Sequence, residues 1–145
     1  MKISAEEIQR EAYYTNELKA NGYFKVDRSK LEIPPDLVKA LVKGILRLLE
    51  LGHSASAISS YDEAWELQKH VGPMISRITG NPLSGDIFSF HVTADKQSGF
   101  VGPHRDKPLA DNSTFRKDGS PMYATCWICL TPATNTSSCL YFIPK

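Results

Sequence analysis

The sequence has little excess charge of either sign. Its 17 Lys and Arg residues are matched by 16 Asp and Glu residues, which gives a formal net charge of +1 at pH 7. A balance so close to neutral provides no global attraction to nucleic acid or to an anionic membrane surface. The chain also has no apolar run long enough to span a bilayer, and its first residues lack the apolar core of a signal peptide. We therefore expect a cytoplasmic protein with no nucleic-acid or membrane partner.

Cysteine is scarce as well. The three cysteines, Cys126, Cys129 and Cys139, are too few for a disulfide framework and are typical of a reducing compartment. Cys126 and Cys129 form a C-x-x-C pattern, but a zinc site would normally need a second pair of ligands, which the sequence does not contain. We interpret both residues as small, buried apolar side chains.

Histidine is the residue whose scarcity matters most for function, because none of the 4 histidines follows His104. His104 and Asp106 are two residues apart at the end of a predicted strand, so we expect their side chains on the same side. They would be two of the three ligands in the 2-His-1-carboxylate triad of non-haem Fe(II) oxygenases. The alternative is a hydrogen-bonded surface pair. His91 is interpreted as a packed histidine, or one that supports a ligand, rather than as a ligand.

The first half of the chain carries the signals of three helices. The first begins with a capping box formed by Ser4 and Glu7. The second follows a start signal at residues 33–36, continues from Leu37 with apolar residues at helical spacing and stops at Gly52. The third is predicted from about residue 61 to residue 79. These three segments indicate a helical N-terminal region.

The second half is rich in β-branched and aromatic residues, and strands are predicted at residues 86–93, 100–102, 123–130 and 139–143. A chain of 145 residues suits a single domain, with a mainly helical part at residues 1–84 and a β-rich part at residues 85–145. We expect an α+β fold in which the helices pack on a β-sandwich. Because a jelly roll needs eight strands, this sheet would have exposed edges, and a homo-oligomer through those edges is a further expectation.

Four segments of the β-rich part occur in an order that is shared with a known family. They are residues 88–92 followed by Lys96, residues 102–106, a polar loop closed by residues 119–121 that leads into residues 123–131, and residues 139–145. Together with the N-terminal helices, they resemble the phytanoyl-CoA dioxygenase family of Fe(II)/2-oxoglutarate-dependent oxygenases. The resemblance covers most of the chain and is most specific in the second half.

This resemblance implies N-terminal helices packed on a double-stranded β-helix, the jelly-roll or cupin-like fold, here incomplete at the C-terminus. It implies an Fe(II)/2-oxoglutarate-dependent dioxygenase that hydroxylates a small-molecule or acyl-type substrate, with His104 and Asp106 as metal ligands. It also implies that Trp127 and Thr125 line the 2-oxoglutarate pocket and that Lys96 pairs with a carboxylate of cosubstrate or substrate. The alternatives are a core position for Trp127 and a solvated loop position for Lys96.

The sequence departs from the family pattern at its end. The family's second histidine ligand, and the arginine that holds the distal carboxylate of 2-oxoglutarate, would follow Pro144 and have no counterpart here. We expect such departures in an N-terminal fragment, a truncated gene model or a splice form. Two alternatives stay open: a non-catalytic binding or interaction module on the same scaffold, and an assembly in which a second chain supplies the missing ligand.

Overall fold

Three α-helices form the framework of the protein. A computed structural model describes residues 3–93, 102–104, 106, 115–137 and 139–144. Helix α1 spans Ala5–Asn21, α2 spans Pro35–Glu50 and α3 spans Asp62–Thr79. Two short 3₁₀ helices, Arg28–Lys30 and Ala55–Ser60, lie in the connections on either side of α2. The three predicted helices are confirmed, each with ends close to those that the sequence indicates.

Helix α1 begins and ends at the predicted signals. The Ser4 hydroxyl accepts a hydrogen bond from the Glu7 N–H at 3.2 Å, and the Ser4 N–H donates to the Glu7 carboxylate at 2.7 Å. This capping box satisfies amide groups that have no partner within the helix, and it lowers the pKa of the Glu7 carboxyl. At the other end, Gly22 adopts φ 82°, a left-handed conformation that glycine reaches without a Cβ clash.

Helix α2 supplies the centre of the core. Its buried side chains are Val38, Leu41, Ile45 and Leu48, which recur at the three- and four-residue spacing of one helix face. Leu41 is 2% exposed and lies deepest among them. The 3₁₀ helix Ala55–Ser60 packs closely against this helix, and α3 completes the core with Ala64, Leu67 and Val71.

Helix α3 packs against both other helices, whereas α1 and α2 are not in contact. On its far side, a smaller cluster joins α1 to α3 through Tyr14, Leu18 and Ile78. Beside it, Arg77 donates two hydrogen bonds to the buried Glu11 carboxylate, at 2.7 and 2.8 Å. A two-point guanidinium–carboxylate contact fixes orientation as well as distance, so it sets how α1 lies on α3.

The predicted α+β fold with a jelly-roll core is wrong for the described residues, which are helical or irregular and form no β-strand. Isolated bridges join Phe115 with Pro121 and Thr134 with Ser137, and neither extends into a strand. The described residues contain no sheet edge, and the expected homo-oligomer stays a prediction. Within the same part, none of the helices combines the length and apolarity needed to cross a membrane.

The segment that precedes the metal motif shows why the strand prediction fails. Ile87 packs on the helical core, and Ser89 exchanges hydrogen bonds with the Ser56 hydroxyl at 3.1 and 3.3 Å. The alternate residues Phe88 and Phe90 point outward and are each 72% exposed. The alternation typical of a strand is therefore present, but among the described residues the contacts of Ile87 and Ser89 are with the helical core and with the Ser56 hydroxyl.

Candidate metal centre

His104 and Asp106 converge as their spacing predicts. The Nε2 atom of His104 lies 3.1 Å from Oδ1 of Asp106, although no strand is present at this position. The two side chains are 56% and 49% exposed, so both donor atoms are accessible from solvent. Two neighbouring ligands at about 2.1 Å from an octahedral ion are separated by about 3 Å, which matches this pair. The same separation also fits an ion pair between a protonated imidazole and a carboxylate.

The second ring nitrogen of His104, Nδ1, makes a hydrogen bond to the backbone. Nδ1 lies 2.8 Å from the carbonyl oxygen of Gly102. Because a carbonyl oxygen can only accept a hydrogen bond, Nδ1 carries a proton and donates it. This leaves Nε2 as the atom that can bind a metal, and a backbone carbonyl is a common partner for the far nitrogen of a metal-bound histidine.

A cation is needed between the two side chains. With its proton on Nδ1, a neutral imidazole would direct the lone pair of Nε2 at the Asp106 carboxylate, and two acceptors at that distance repel each other. The hydrogen bond to the Gly102 carbonyl, followed by the nearby Asp106 carboxylate, raises the pKa of His104. The arrangement therefore favours a proton on Nε2, which a bound metal ion would have to displace.

Thr125 fixes the other side of the carboxylate. Its hydroxyl donates a hydrogen bond of 2.8 Å to Oδ2 of Asp106, the oxygen that is not directed at His104. The bond occupies Oδ2 and leaves Oδ1 beside the imidazole. Thr125 was predicted to line a cosubstrate pocket, but its observed contact is with a candidate metal ligand. Hydrogen bonds of this kind orient ligating carboxylates in known metal sites.

The loop that carries Thr125 is anchored to the end of α3. Asn81, just past the helix, donates from Nδ2 to the Pro121 carbonyl at 3.1 Å and accepts from Arg116 at 2.6 Å. Arg116 also donates to the Pro121 carbonyl. The turn between them closes at Gly119, whose φ of 81° suits glycine. These contacts fix the buried residue Pro121, which lies four residues before Thr125 in the chain. The sequence did not indicate that Asn81 or Arg116 belongs to the site.

Trp127 has no described polar contact with this centre. Trp127 is 46% exposed, and the described residues give its indole no polar contact, so the structure does not place it in a core. Lys96 lies outside the described residues. The interpretation of Cys126 and Cys129 as buried is wrong, because both residues are exposed and unbridged.

The donor set fits Fe(II) at two positions. One imidazole and one carboxylate are ligands that a non-haem Fe(II) site uses, and both are oriented by further hydrogen bonds. Within the described ranges, no group of three or more His, Cys, Asp or Glu side chains is placed to hold a metal ion. The part of the chain that the structure describes therefore offers two candidate ligands, His104 and Asp106.

Comparisons with protein-family models, with curated proteins and with solved structures found no match to this chain. The resemblance to the oxygenase family therefore depends on the sequence segments alone.

Proposed function

We propose that the chain is an Fe(II)/2-oxoglutarate-dependent dioxygenase that hydroxylates a small-molecule or acyl-type substrate in the cytoplasm. The observation that carries this proposal is the 3.1 Å approach of His104 Nε2 to Asp106 Oδ1, with Nδ1 held by Gly102. His104 and Asp106 would be the ligands of the iron. Bound Fe(II) would supply the redox chemistry that couples decarboxylation of 2-oxoglutarate to hydroxylation of a substrate C–H bond.

The residues of this chain would bind the iron, orient one of its ligands and contact 2-oxoglutarate. His104 would bind through Nε2, because its other nitrogen is held by the Gly102 carbonyl. Asp106 would bind through Oδ1, while the Thr125 hydroxyl would keep Oδ2 turned away. Trp127 and Lys96 stay proposed contacts of 2-oxoglutarate from the family resemblance. Two protein ligands leave several positions of an octahedral ion open to solvent and to a bidentate keto acid.

The proposal is tested by an anaerobic titration of the full chain with Fe(II) and then 2-oxoglutarate, followed by visible absorption. We expect a charge-transfer band that saturates at one equivalent of iron and requires the keto acid. Absence of the band at millimolar Fe(II) and 2-oxoglutarate would overturn the proposal for this chain. Succinate in place of 2-oxoglutarate is the matched control, because it lacks the keto oxygen that completes the chelate.

A non-catalytic binding module is the second candidate. It is favoured by the donor set, which provides two protein ligands within the described residues. A module of this kind would leave the His104–Asp106 pair as an ion pair with a proton on Nε2. The same titration separates the two functions, because the module would give no band and no iron-dependent change in absorption.

Removal of the Thr125 hydroxyl should weaken iron binding without removing a ligand. In Thr125→Val, the hydrogen bond to Asp106 Oδ2 is lost while the side-chain volume is nearly unchanged. We expect the Kd for Fe(II) to rise about 10- to 100-fold, the range typical for loss of a group that orients a metal ligand. Anaerobic calorimetry would measure it. Thr131→Val is the control, since Thr131 is exposed and has no such contact among the described residues, and equal Kd values in the two variants would contradict the assigned role.

A further inference from the structure

A long groove follows one side of α2, away from the candidate metal centre. Its volume is about 820 Å³ and it is open to solvent along its length. The walls are formed by α2 between Pro35 and Glu50, by Arg28 and by Leu130. At 1.5 Å per residue, this part of α2 extends over about 22 Å. The groove has the length of a short helix and is more open than an enclosed small-molecule pocket.

Two parallel stripes of side chains run along the groove. Val38, Val42 and Leu46 recur every four residues along the groove; Val38 is buried in the core, whereas the partly buried Val42 and the exposed Leu46 form the accessible apolar floor. Leu46 is 45% exposed and is the apolar side chain of this stripe that is most accessible from solvent. The neighbouring positions Lys39, Lys43 and Arg47 repeat at the same spacing and form a basic edge.

The charge of the groove is strongly unbalanced, although the whole chain is nearly neutral. Four cations line it, Arg28, Lys39, Lys43 and Arg47, against the single carboxylate of Glu50. Lys39 pairs with Asp36 at 2.9 Å and Arg47 pairs with Glu50 at 3.0 Å, both as exposed contacts within the helix. Among the described residues, Lys43 and Arg28 have no carboxylate partner. Exposed pairs of this type are weak, so an incoming anion can compete for all four cations.

We propose that this groove is a docking site for an acidic amphipathic helix of a partner protein. Apolar side chains of the partner at helical spacing would lie on Val42 and Leu46. Glutamate or aspartate side chains along one flank would meet the basic edge, which sets orientation and speeds association. The inference is independent of the proposed oxygenase activity, because none of the groove residues contacts His104 or Asp106.

The test uses a fluorescein-labelled peptide of 16 residues, with leucines at helical spacing and glutamates along one flank. Binding to the full chain is followed by fluorescence anisotropy, and a peptide with lysine in place of each glutamate is the control. We expect the acidic peptide to bind at least about tenfold more tightly than the basic one, and its affinity to fall with added salt. Equal binding of the two peptides, or no binding of either, would overturn the proposal.

Two lysines provide a matched pair of variants. Lys39 lines the groove and Lys69 lies on α3, and each is an exposed helical lysine paired with a carboxylate three residues earlier. We expect Lys39→Glu to weaken binding of the acidic peptide about tenfold and Lys69→Glu to leave it unchanged. Leu46→Ser should also weaken binding, which separates docking in the groove from general attraction to positive charge. Circular dichroism verifies that each variant keeps its helices, and equal effects of the two lysine variants would contradict the assignment.

A membrane surface is the competing occupant, because anionic lipid would also match a basic edge beside apolar residues. Sedimentation with vesicles of phosphatidylserine and phosphatidylcholine tests it. Binding to these vesicles that Lys39→Glu abolishes, without binding of the acidic peptide, would assign the groove to lipid and overturn the helix proposal. Peptide binding without vesicle binding supports the proposal.

Discussion

His104→Ala should abolish the iron-dependent absorption band and raise the Kd for Fe(II) by more than about 100-fold. Among the described residues, the variant removes the one candidate nitrogen ligand of the proposed centre and leaves the solvent-exposed Asp106 carboxylate. Loss of a group that merely orients a ligand costs about 10- to 100-fold, so loss of the ligand itself should cost more. Anaerobic titration with Fe(II) and 2-oxoglutarate, read by visible absorption and calorimetry, measures both quantities.

His91→Ala is the matched control for this prediction. His91 is another exposed histidine, and the described residues give it no polar contact. We expect the His91 variant to keep the band and the Kd of the unmodified chain. A band that survives in His104→Ala would show that iron binds elsewhere, and a band lost equally in both variants would show that its loss is not specific to His104. The proposed roles of Asp106 and Thr125 would then be withdrawn as well.

The helices could be predicted because their signals are local. The capping box of Ser4 and Glu7 lies within one turn, and the four-residue spacing from Leu41 to Ile45 is visible in the sequence itself. Such patterns need no knowledge of distant contacts. The strands could not be predicted in the same way, since a strand exists only when another segment pairs with it. Residues 86–93 alternate as a strand would, yet their partner is the helical core, reached through Ile87 and through Ser89 bonded to Ser56.

The candidate site shows the same division between local and distant contacts. The approach of His104 to Asp106 follows from a spacing of two residues, which the sequence displays directly. The contact of Asp106 with Thr125 joins positions 19 residues apart, and the bond of Arg116 to Asn81 joins positions 35 apart. No periodicity connects such pairs. Asn81 follows Gly80, the glycine that ends α3, so from the sequence it indicates only the end of a helix. In the structure, the same residue anchors the loop that carries Thr125.

The core of α2 allows a second large effect to be predicted, this time on stability. Leu41→Ala should lower the free energy of unfolding by about 3 kcal/mol, because truncation of a buried leucine loses its transfer free energy and leaves a cavity. Leu41 is 2% exposed and is the largest fully buried side chain among the described residues. For a single domain with a total stability of about 5 to 15 kcal/mol, such a loss is large. Urea denaturation followed by circular dichroism measures it.

Leu46→Ala is the control on the same helix. Leu46 is 45% exposed, so its truncation should cost less than about 1 kcal/mol. Similar losses in the two variants would contradict the assignment of Leu41 to the centre of the core. Because Leu41 belongs to the helical cluster, whereas His104 and Asp106 are exposed, Leu41→Ala should leave the Kd for Fe(II) unchanged below its unfolding transition. A lower stability with unchanged iron binding would show that the helical core and the candidate metal centre are energetically separate.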